Sequence, residues 1–486
     1  MSTSRIYSGS LSLLTDLYEL TMAYGYWKTG TANREAAFSV SFRHHPFQGG
    51  YTVAAGLESA IDWISGLRFS ADDLRYLGGL EGNDGRPLFE GEFLDYLRDF
   101  EFRCDVDAVP EGTVVFPRQP LVQVRGPILQ AQILETAVLN LVNFQSLIAT
   151  KAARVCLAAR GDPVIEFGLR RAQGIDGGIT ASRAAYIGGC AATSNVLAGK
   201  LFGIPVRGTL AHSWVMSFAS EPEAFTAWAR AMPNNSVFLV DTYNTLVGVR
   251  RAAEAGRLLR EMGHRMGGIR LDSGDLAYLS IEARKILDEA GFPDAVILAS
   301  NNLDEHLIAS LKEQGAAIGA WGVGTRLTTA FDEPALGGVY KLTAVRPRPG
   351  EPWAYRLKLS EQVNKASVPG ILQVKRFRQG SQFIADMTYD EQLGMGDRTI
   401  VDPVDPTRTK KIPPDADAED LLVPVFRAGR LVLDMPSLEA TRQRVQTQLE
   451  GFHPSIRRLV NPHEYPAGLA ENLADLRSRL IRELKG

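Results

Sequence analysis

Short apolar runs separated by amphipathic stretches dominate the middle of the chain. The runs fall at 163–167, 204–207, 236–240, 268–271, 295–299, 317–323 and 339–342. Each has the length of a strand and is bounded by Gly, Pro, Asn, Asp or charged residues. Between most of them lie helix-period patterns, as at 245–262 and 276–290. Strand alternating with helix implies parallel pairing through crossover helices. This α/β pattern predicts an irregular (β/α) barrel, with an open doubly wound sheet as the alternative.

The flanks read differently. Asp16 followed by Glu19 marks a helix start, with Leu17, Leu20 and Tyr24 on one face. Residues 108–127 alternate apolar and polar between Pro and Gly breakers, as a hairpin or meander would. From 128 to 159 the period is helical. Beyond 345 the chain turns β-like and Pro/Gly-rich, then helical again over 437–449 and 469–484. The expected organisation is an α+β domain from 1–135 with a returning segment 345–435, a barrel over 136–344, and C-terminal helices over 436–486. No internal repeat is present.

Composition narrows the function classes. At ~150 residues per domain, 486 residues make about three domains. Hydrophobic residues at 45% and charged residues at 22% fit a folded globular chain rather than a disordered one. Lys+Arg 53 against Asp+Glu 56 leaves no bulk basic field for nucleic acid or anionic membrane. Cys104, Cys156 and Cys190 contain no C-x-x-C, which argues against a disulfide framework and a cysteine zinc site. The N-terminal stretch lacks a signal peptide's apolar core, and no run of about 18 apolar residues is evident. The expectation is a soluble cytoplasmic protein.

The chemistry lies at the ends of the middle runs. They close on Glu166-Phe167-Gly168-Leu169-Arg170-Arg171, Gly208-Thr209-Leu210-Ala211-His212-Ser213, Asp241-Thr242-Tyr243-Asn244, Arg270-Leu271-Asp272-Ser273-Gly274-Asp275, Ser300-Asn301-Asn302 and Gly322-Val323-Gly324-Thr325. In a parallel barrel these ends meet on one rim, where active sites lie. Gly322, Gly324 and Thr325 offer bare backbone N–H groups and a hydroxyl, suited to a phosphate monoester. Leu327 stands where a dinucleotide fingerprint needs its third glycine. Asp272 and Asp275 can hold sugar hydroxyls or Mg²⁺ through water. Arg170 and Arg270 are rigid forks for carboxylate or diphosphate oxygens. Phe167 and Tyr18 can stack on a flat ring. His212 has a candidate carboxylate partner in Asp241, which allows a nucleophile or acid–base reading beside a structural one. An Asp after a strand is also a common helix N-cap. His264, His306, His453 and His463 carry no evident message.

Five motifs together resemble the nicotinate phosphoribosyltransferase family. They are Leu14-Thr15-Asp16-Leu17-Tyr18, the run from Glu166 to Gly174, Gly208-Thr209-Leu210-Ala211-His212-Ser213, Leu271-Asp272-Ser273-Gly274-Asp275 and Gly337-Gly338-Val339-Tyr340-Lys341-Leu342. The resemblance implies a type II phosphoribosyltransferase fold and a homodimer with sites near the interface. It implies transfer of phosphoribose from phosphoribosyl diphosphate to nicotinate, coupled to ATP hydrolysis and using Mg²⁺. No zinc and no tightly bound organic cofactor is implied. By the resemblance, His212 is transiently phosphorylated and Asp241 orients it. Arg270 and Thr209 hold nicotinate, with Phe167 and Tyr18 as aromatic walls, Tyr18 from the partner subunit, and Arg170 beside them. Asp272 holds the ribose hydroxyls, and Gly322, Gly324 and Thr325 cradle the 5-phosphate. Asn195 stands where a nicotinamide-using relative carries Asp, so an anionic base is expected. Competing expectations are a nicotinamide- or quinolinate-using relative and a nucleotide-sensing barrel without catalysis.

Overall fold

The computed structural model describes residues 10–359 and 366–485. Residues 1–9 of the stretch read as lacking a leader's core, and Lys365 in the Pro/Gly-rich region, lie outside the described residues. The chain divides into two compact units: one takes the segments up to Thr150 and from Ala335 onward, the other is Lys151–Pro334.

The second unit carries six parallel strands: Val164–Glu166, Ala192–Thr193, Val237–Leu239, Gly268–Leu271, Val296–Ala299 and Ala320–Val323. Across the sheet they run second, first, sixth, fifth, fourth, third. The last strand therefore pairs with the first, through Trp321↔Val164, Gly322↔Ile165 and Val323↔Glu166. The seam falls between the second and third strands, where the single bridge Thr193↔Val206 extends the second. Because every pairing in this sheet is parallel, the strand C-termini lie along one edge of it. Phe238, Ile269, Ile297, Trp321 and Val323 are buried in these strands. Their burial fits short apolar runs in a sheet covered on both faces.

Two expected strands fell elsewhere. Run 204–207 supplies only the bridge at Val206. Run 339–342 belongs to the strand Gly338–Arg346, which pairs antiparallel with Glu35–Phe42 in the first unit. An apolar run states that a strand is buried, not which way its partner points. The second parallel strand, Ala192–Thr193, is two residues long and too short to leave a period.

The first unit holds a seven-stranded antiparallel sheet with Glu35–Phe42 between Gly338–Arg346 and Val122–Pro127. A second sheet has six strands, and in it Gln382–Asp390 pairs parallel with Ala467–Ala470. The stretch expected to be helical over 469–484 thus begins as a strand and continues as the helix Glu471–Lys485. The amphipathic face of that helix places Leu473 and Leu476 against Phe377, Met387 and Ile400.

Helix 128–158 spans 31 residues and is long and apolar enough to cross a membrane by length and composition, against expectation; 61% of its most apolar window is buried within the protein. Three of its polar side chains bond to neighbouring chain: Gln145 Nε2 donates to Ser59 Oγ at 2.9 Å, Ser146 Oγ to Ala55 O at 3.0 Å, and Thr150 Oγ1 accepts from Val53 N at 2.9 Å. Such satisfied polar groups mark a core helix of a globular unit.

Candidate active site

The strand ends of the second unit surround an open cavity of about 480 Å³. Phe167, Arg170, Thr209, Arg270, Asp272, Asn301, Gly322, Gly324 and Thr325 line it, as expected.

Arg270 is the centre of the polar wall. It leaves the fourth strand with its side chain 16% exposed. Its Nε donates to Ser300 Oγ at 2.7 Å, Nη1 to Thr209 Oγ1 at 3.2 Å and Nη2 to Asp272 Oδ1 at 2.8 Å. These bonds fix the guanidinium plane and still leave an N–H on each terminal nitrogen. The Phe167 ring lies 5.5 Å from the guanidinium carbon, a cation–π arrangement. A fixed fork beside a flat apolar face suits an aromatic carboxylate.

Glycine is sterically required opposite Phe167. A Cβ at Gly322 would meet the Phe167 ring at 2.6 Å, and one at Gly168 would collide with Thr328 Oγ1. Asn301 and Asn302 take φ of +84° and +43°, a left-handed conformation asparagine tolerates better than most residues. The loop after the fifth strand thereby turns back toward the cavity.

Beneath the rim, Glu166 is buried and accepts four hydrogen bonds. Gly168 N and Thr328 Oγ1 (3.2 Å) donate to Oε1, and Ser182 Oγ (2.9 Å) and Thr193 Oγ1 (2.6 Å) donate to Oε2. One carboxylate therefore ties the loop bearing Phe167 and Arg170 to the turn bearing Gly324 and Thr325. Sequence reasoning quoted Glu166 only as part of a motif.

His212 begins the helix His212–Met216. Its Nδ1 bonds the Thr242 hydroxyl at 3.1 Å, and its Nε2 stands 3.9 Å from Asp272 Oδ2. The side chain is 41% exposed. Asp241, expected to orient it, instead accepts from Asp272 N at 2.9 Å and Ser273 Oγ at 2.6 Å. The carboxylate is drawn to the donors of the neighbouring strand end, and Thr242, one residue on, takes the imidazole. Asp241 Oδ1 is buried with no partner among the described residues.

Five expected residues are not among those lining the cavity: His212 and Asp241, which adjoin Asp272, and Asn195, Asp275 and Tyr18. Asn195 is buried as the N-cap of the helix Val196–Phe202. Its Oδ1 accepts from Ala198 N at 3.2 Å, and its Nδ2 donates to Gly178 O at 3.3 Å and Ser182 Oγ at 3.2 Å. The cap preference of Asn turned it inward, and the preceding residue, Ser194, lines the cavity. Asp275 caps the helix Leu276–Glu289, accepting from Tyr278 N at 3.0 Å. Tyr18 lies in the first unit, on the helix Leu17–Lys28, and is exposed.

Missed by sequence reasoning were Ser194, Ser300, Asn302 and Arg171, all lining residues. Each sits within or beside a quoted motif, so position at a strand end was the available signal.

Family profiles match the chain in three stretches. They are the nicotinate phosphoribosyltransferase (NAPRTase) N-terminal domain over residues 13–143, the NAPRTase family over 164–347 and the NAPRTase C-terminal domain over 373–477. A Bacillus subtilis (strain 168) protein named nicotinate phosphoribosyltransferase is 42% identical over 483 residues, covering 98% of this chain and 96% of that one. A Homo sapiens protein of the same name is 36% identical over 524 residues, covering 96% and 95%. The crystal structure of human nicotinic acid phosphoribosyltransferase superposes with a TM-score of 0.81 at 34% identity, over 96% of this chain and 100% of that one. Nicotinate-nucleotide pyrophosphorylase from Pyrococcus furiosus, with a TM-score of 0.68 and 23% identity over 91% and 96%, shares the fold.

Proposed function

The chain belongs to the nicotinate phosphoribosyltransferase family, and on that premise we propose how its cavity converts nicotinate and 5-phosphoribosyl 1-diphosphate to nicotinate mononucleotide and diphosphate, a step of NAD biosynthesis. The observation that carries the reading is the Arg270 fork held against the Phe167 ring. The two uncommitted N–H groups take the nicotinate carboxylate, and the ring takes the pyridine face. Gly322, Gly324 and Thr325 take the 5-phosphate through backbone N–H groups and the hydroxyl. Asp272 accepts from the ribose hydroxyls.

The pyridine nitrogen attacks the anomeric carbon as the bond to diphosphate breaks. Positive charge develops on the ribose, and fixed positioning and electrostatics supply most of the acceleration. The unpartnered Asp241 Oδ1 and the outer oxygen of Asp272 are a donor set that fits Mg²⁺. Those two carboxylates would hold it, and bound Mg²⁺ would neutralise diphosphate charge.

ATP coupling runs through His212. With Nδ1–H directed to Thr242, the Nε2 lone pair attacks the γ-phosphorus of ATP and the bond to ADP breaks. The phosphohistidine adds negative charge at the rim, which alters diphosphate affinity.

Finer features belong to the same proposal. We read the sheet as an incompletely closed barrel, open between the second and third strands, a reading supported by the pairing of the last strand with the first. The protein is a cytoplasmic homodimer, none of its three cysteines forming a disulfide, which suits a reducing compartment. Tyr18 of the partner subunit then forms the second aromatic wall.

Incubating the protein with nicotinate and phosphoribosyl diphosphate, with and without ATP and Mg²⁺, tests the reading. Formation of nicotinate mononucleotide, stimulated by ATP, is expected. Product from nicotinamide alone, or carbon dioxide released from quinolinate, would reassign the base.

A further inference from the structure

The first unit contains a second open cavity, about 500 Å³, comparable to the one in the second unit. It lies between the strand Gln382–Asp390 and the loop that follows the helix Leu438–Gly451. Lys410, His453, Arg458 and His463 are among its lining residues, and no Asp or Glu is. None of the four forms an ion pair among the described residues. The acidic residue nearest in sequence, Glu464, is engaged by Arg408 at 2.8 Å.

Lys410 and Arg458 are the cations, and Lys410 and His453 are held by hydrogen bonds. Lys410 is half-buried and donates to a backbone carbonyl, Ile384 O, at 2.8 Å. Burial without an opposing carboxylate lowers its pKa from the ordinary lysine value. His453 Nδ1 accepts from Ser455 N at 3.2 Å, which leaves its Nε2–H free to donate. The backbone bond from His463 N to Ser455 O, 2.9 Å, holds the two histidine positions together. Two aromatic rings complete the wall. The Tyr465 hydroxyl is bound to Asp386 Oδ1 at 3.0 Å and its buried ring stacks on Phe116 with centroids 4.3 Å apart, so half-buried Phe383 is the more accessible of the two rings. Phe383 packs on Phe452 with centroids 5.0 Å apart.

Unpaired cations in a concave site concentrate anions, and aromatic faces add stacking for a flat ring. We propose that this cavity is a binding site, separate from the barrel cavity, for a nucleoside monophosphate. The phosphate is held by Lys410, Arg458 and the histidine N–H groups, and the base stacks on the aromatic wall. The assignment does not depend on the reaction proposed for the second unit.

Calorimetric titration of the full chain with AMP, in low salt, tests this. The Arg270→Ala variant disables the barrel cavity and isolates the second site. AMP binding is expected to persist in Arg270→Ala and to vanish when Lys410→Glu and Arg458→Glu are added. The Lys410→Glu/Arg458→Glu protein without the Arg270 change should turn over nicotinate within about two-fold of the unsubstituted rate, the sites being separate. His463→Ala, an exposed position, should weaken AMP at least about five-fold and gives a second reading if charge reversal impairs folding. Failure of Arg270→Ala to bind AMP would overturn the proposal, as would undiminished binding after charge reversal or His463→Ala. Inorganic phosphate should bind at least about ten-fold more weakly than AMP. Equal affinities would overturn the nucleotide assignment.

Discussion

Replacing Glu166 by Gln probes the joint beneath the active site. The carboxylate accepts from Gly168 N, Thr328, Ser182 and Thr193. Glutamine keeps the shape and one acceptor oxygen but places an NH₂ group where the other oxygen stood. Ser182 can adapt, because its hydroxyl also reaches Gly178 O at 2.9 Å. Thr193 cannot adapt as easily, because its oxygen already accepts from Asn195 N at 3.0 Å. Hydrogen bonds to a charged group are worth about 1.5–3 kcal/mol and neutral ones about 0.5–1.5. Loss of charge assistance across the cluster, plus one stranded hydroxyl, then costs about 2–4 kcal/mol. For a unit of this size that corresponds to a drop of roughly 5–12 °C in the apparent melting temperature. Gly168 and Thr328 adjoin the proposed base and phosphate positions, so KM for phosphoribosyl diphosphate should rise in the same variant. Differential scanning fluorimetry and initial-rate kinetics measure both. A melting temperature within about 1 °C of the unsubstituted protein, together with unchanged KM, would refute the reasoning, since a lone buried side-chain change elsewhere is commonly near-neutral only when it holds nothing.

Other substitutions separate neighbouring roles. His212→Ala should abolish ATP stimulation and leave at most slow ATP-independent transfer; full coupling in that variant would remove the histidine from the reaction. Thr242→Val takes away the Nδ1 partner and should lower the ATP-coupled rate about ten-fold while sparing ATP-independent transfer, as single-turnover assays can show. Ser194→Asp puts a carboxylate on the cavity wall and should shift kcat/KM away from nicotinate toward nicotinamide by at least about ten-fold. Asn195→Asp, one residue on, keeps the cap and should leave that ratio within about three-fold, so the pair of variants locates the discriminating position. Glu19 is buried beside Gln132, whose Nε2 donates to its Oε2 at 2.9 Å, and burial pushes its pKa up to about 7. A raised carboxylate pKa means the folded chain holds the proton longer than the unfolded one. Its contribution therefore falls as pH rises from the ordinary glutamate value toward about 7 and is flat above that. Glu19→Gln should flatten the melting temperature against pH across this window; an identical slope would show that Glu19 does not titrate there.

The parallel strands were largely legible because most are apolar runs between turn residues, and Gly268–Leu271 coincides with its predicted bounds. What the pattern does not encode is partnership. Run 339–342 looked like another parallel strand because its alternation is the same whichever neighbour it finds. The cavity was legible for a related reason: the C-terminal ends of parallel strands share one edge of the sheet, so Phe167, Arg270 and Thr325 meet although distant in sequence. Errors of a single residue marked the limit. Asn195 and Ser194 exchange cap and cavity, and Asp241 and Thr242 exchange carboxylate and imidazole partner. Adjacent side chains at a strand end point in different directions, and only backbone geometry decides which one turns inward.

The pairing of the sixth strand with the first, and of Glu35–Phe42 with Gly338–Arg346, orders events during synthesis. A nascent chain emerging from the ribosome can complete the parallel sheet only once Val323 is out. The sheet begun at the N-terminus must wait longer, for the segment after Gly338 and then for Val423–Arg427, which pairs with Asp105–Ala108. The unit that starts first therefore finishes last, and translational pausing between those points leaves the unpaired edges of Glu35–Phe42 and Asp105–Ala108 exposed to aggregation or chaperone capture.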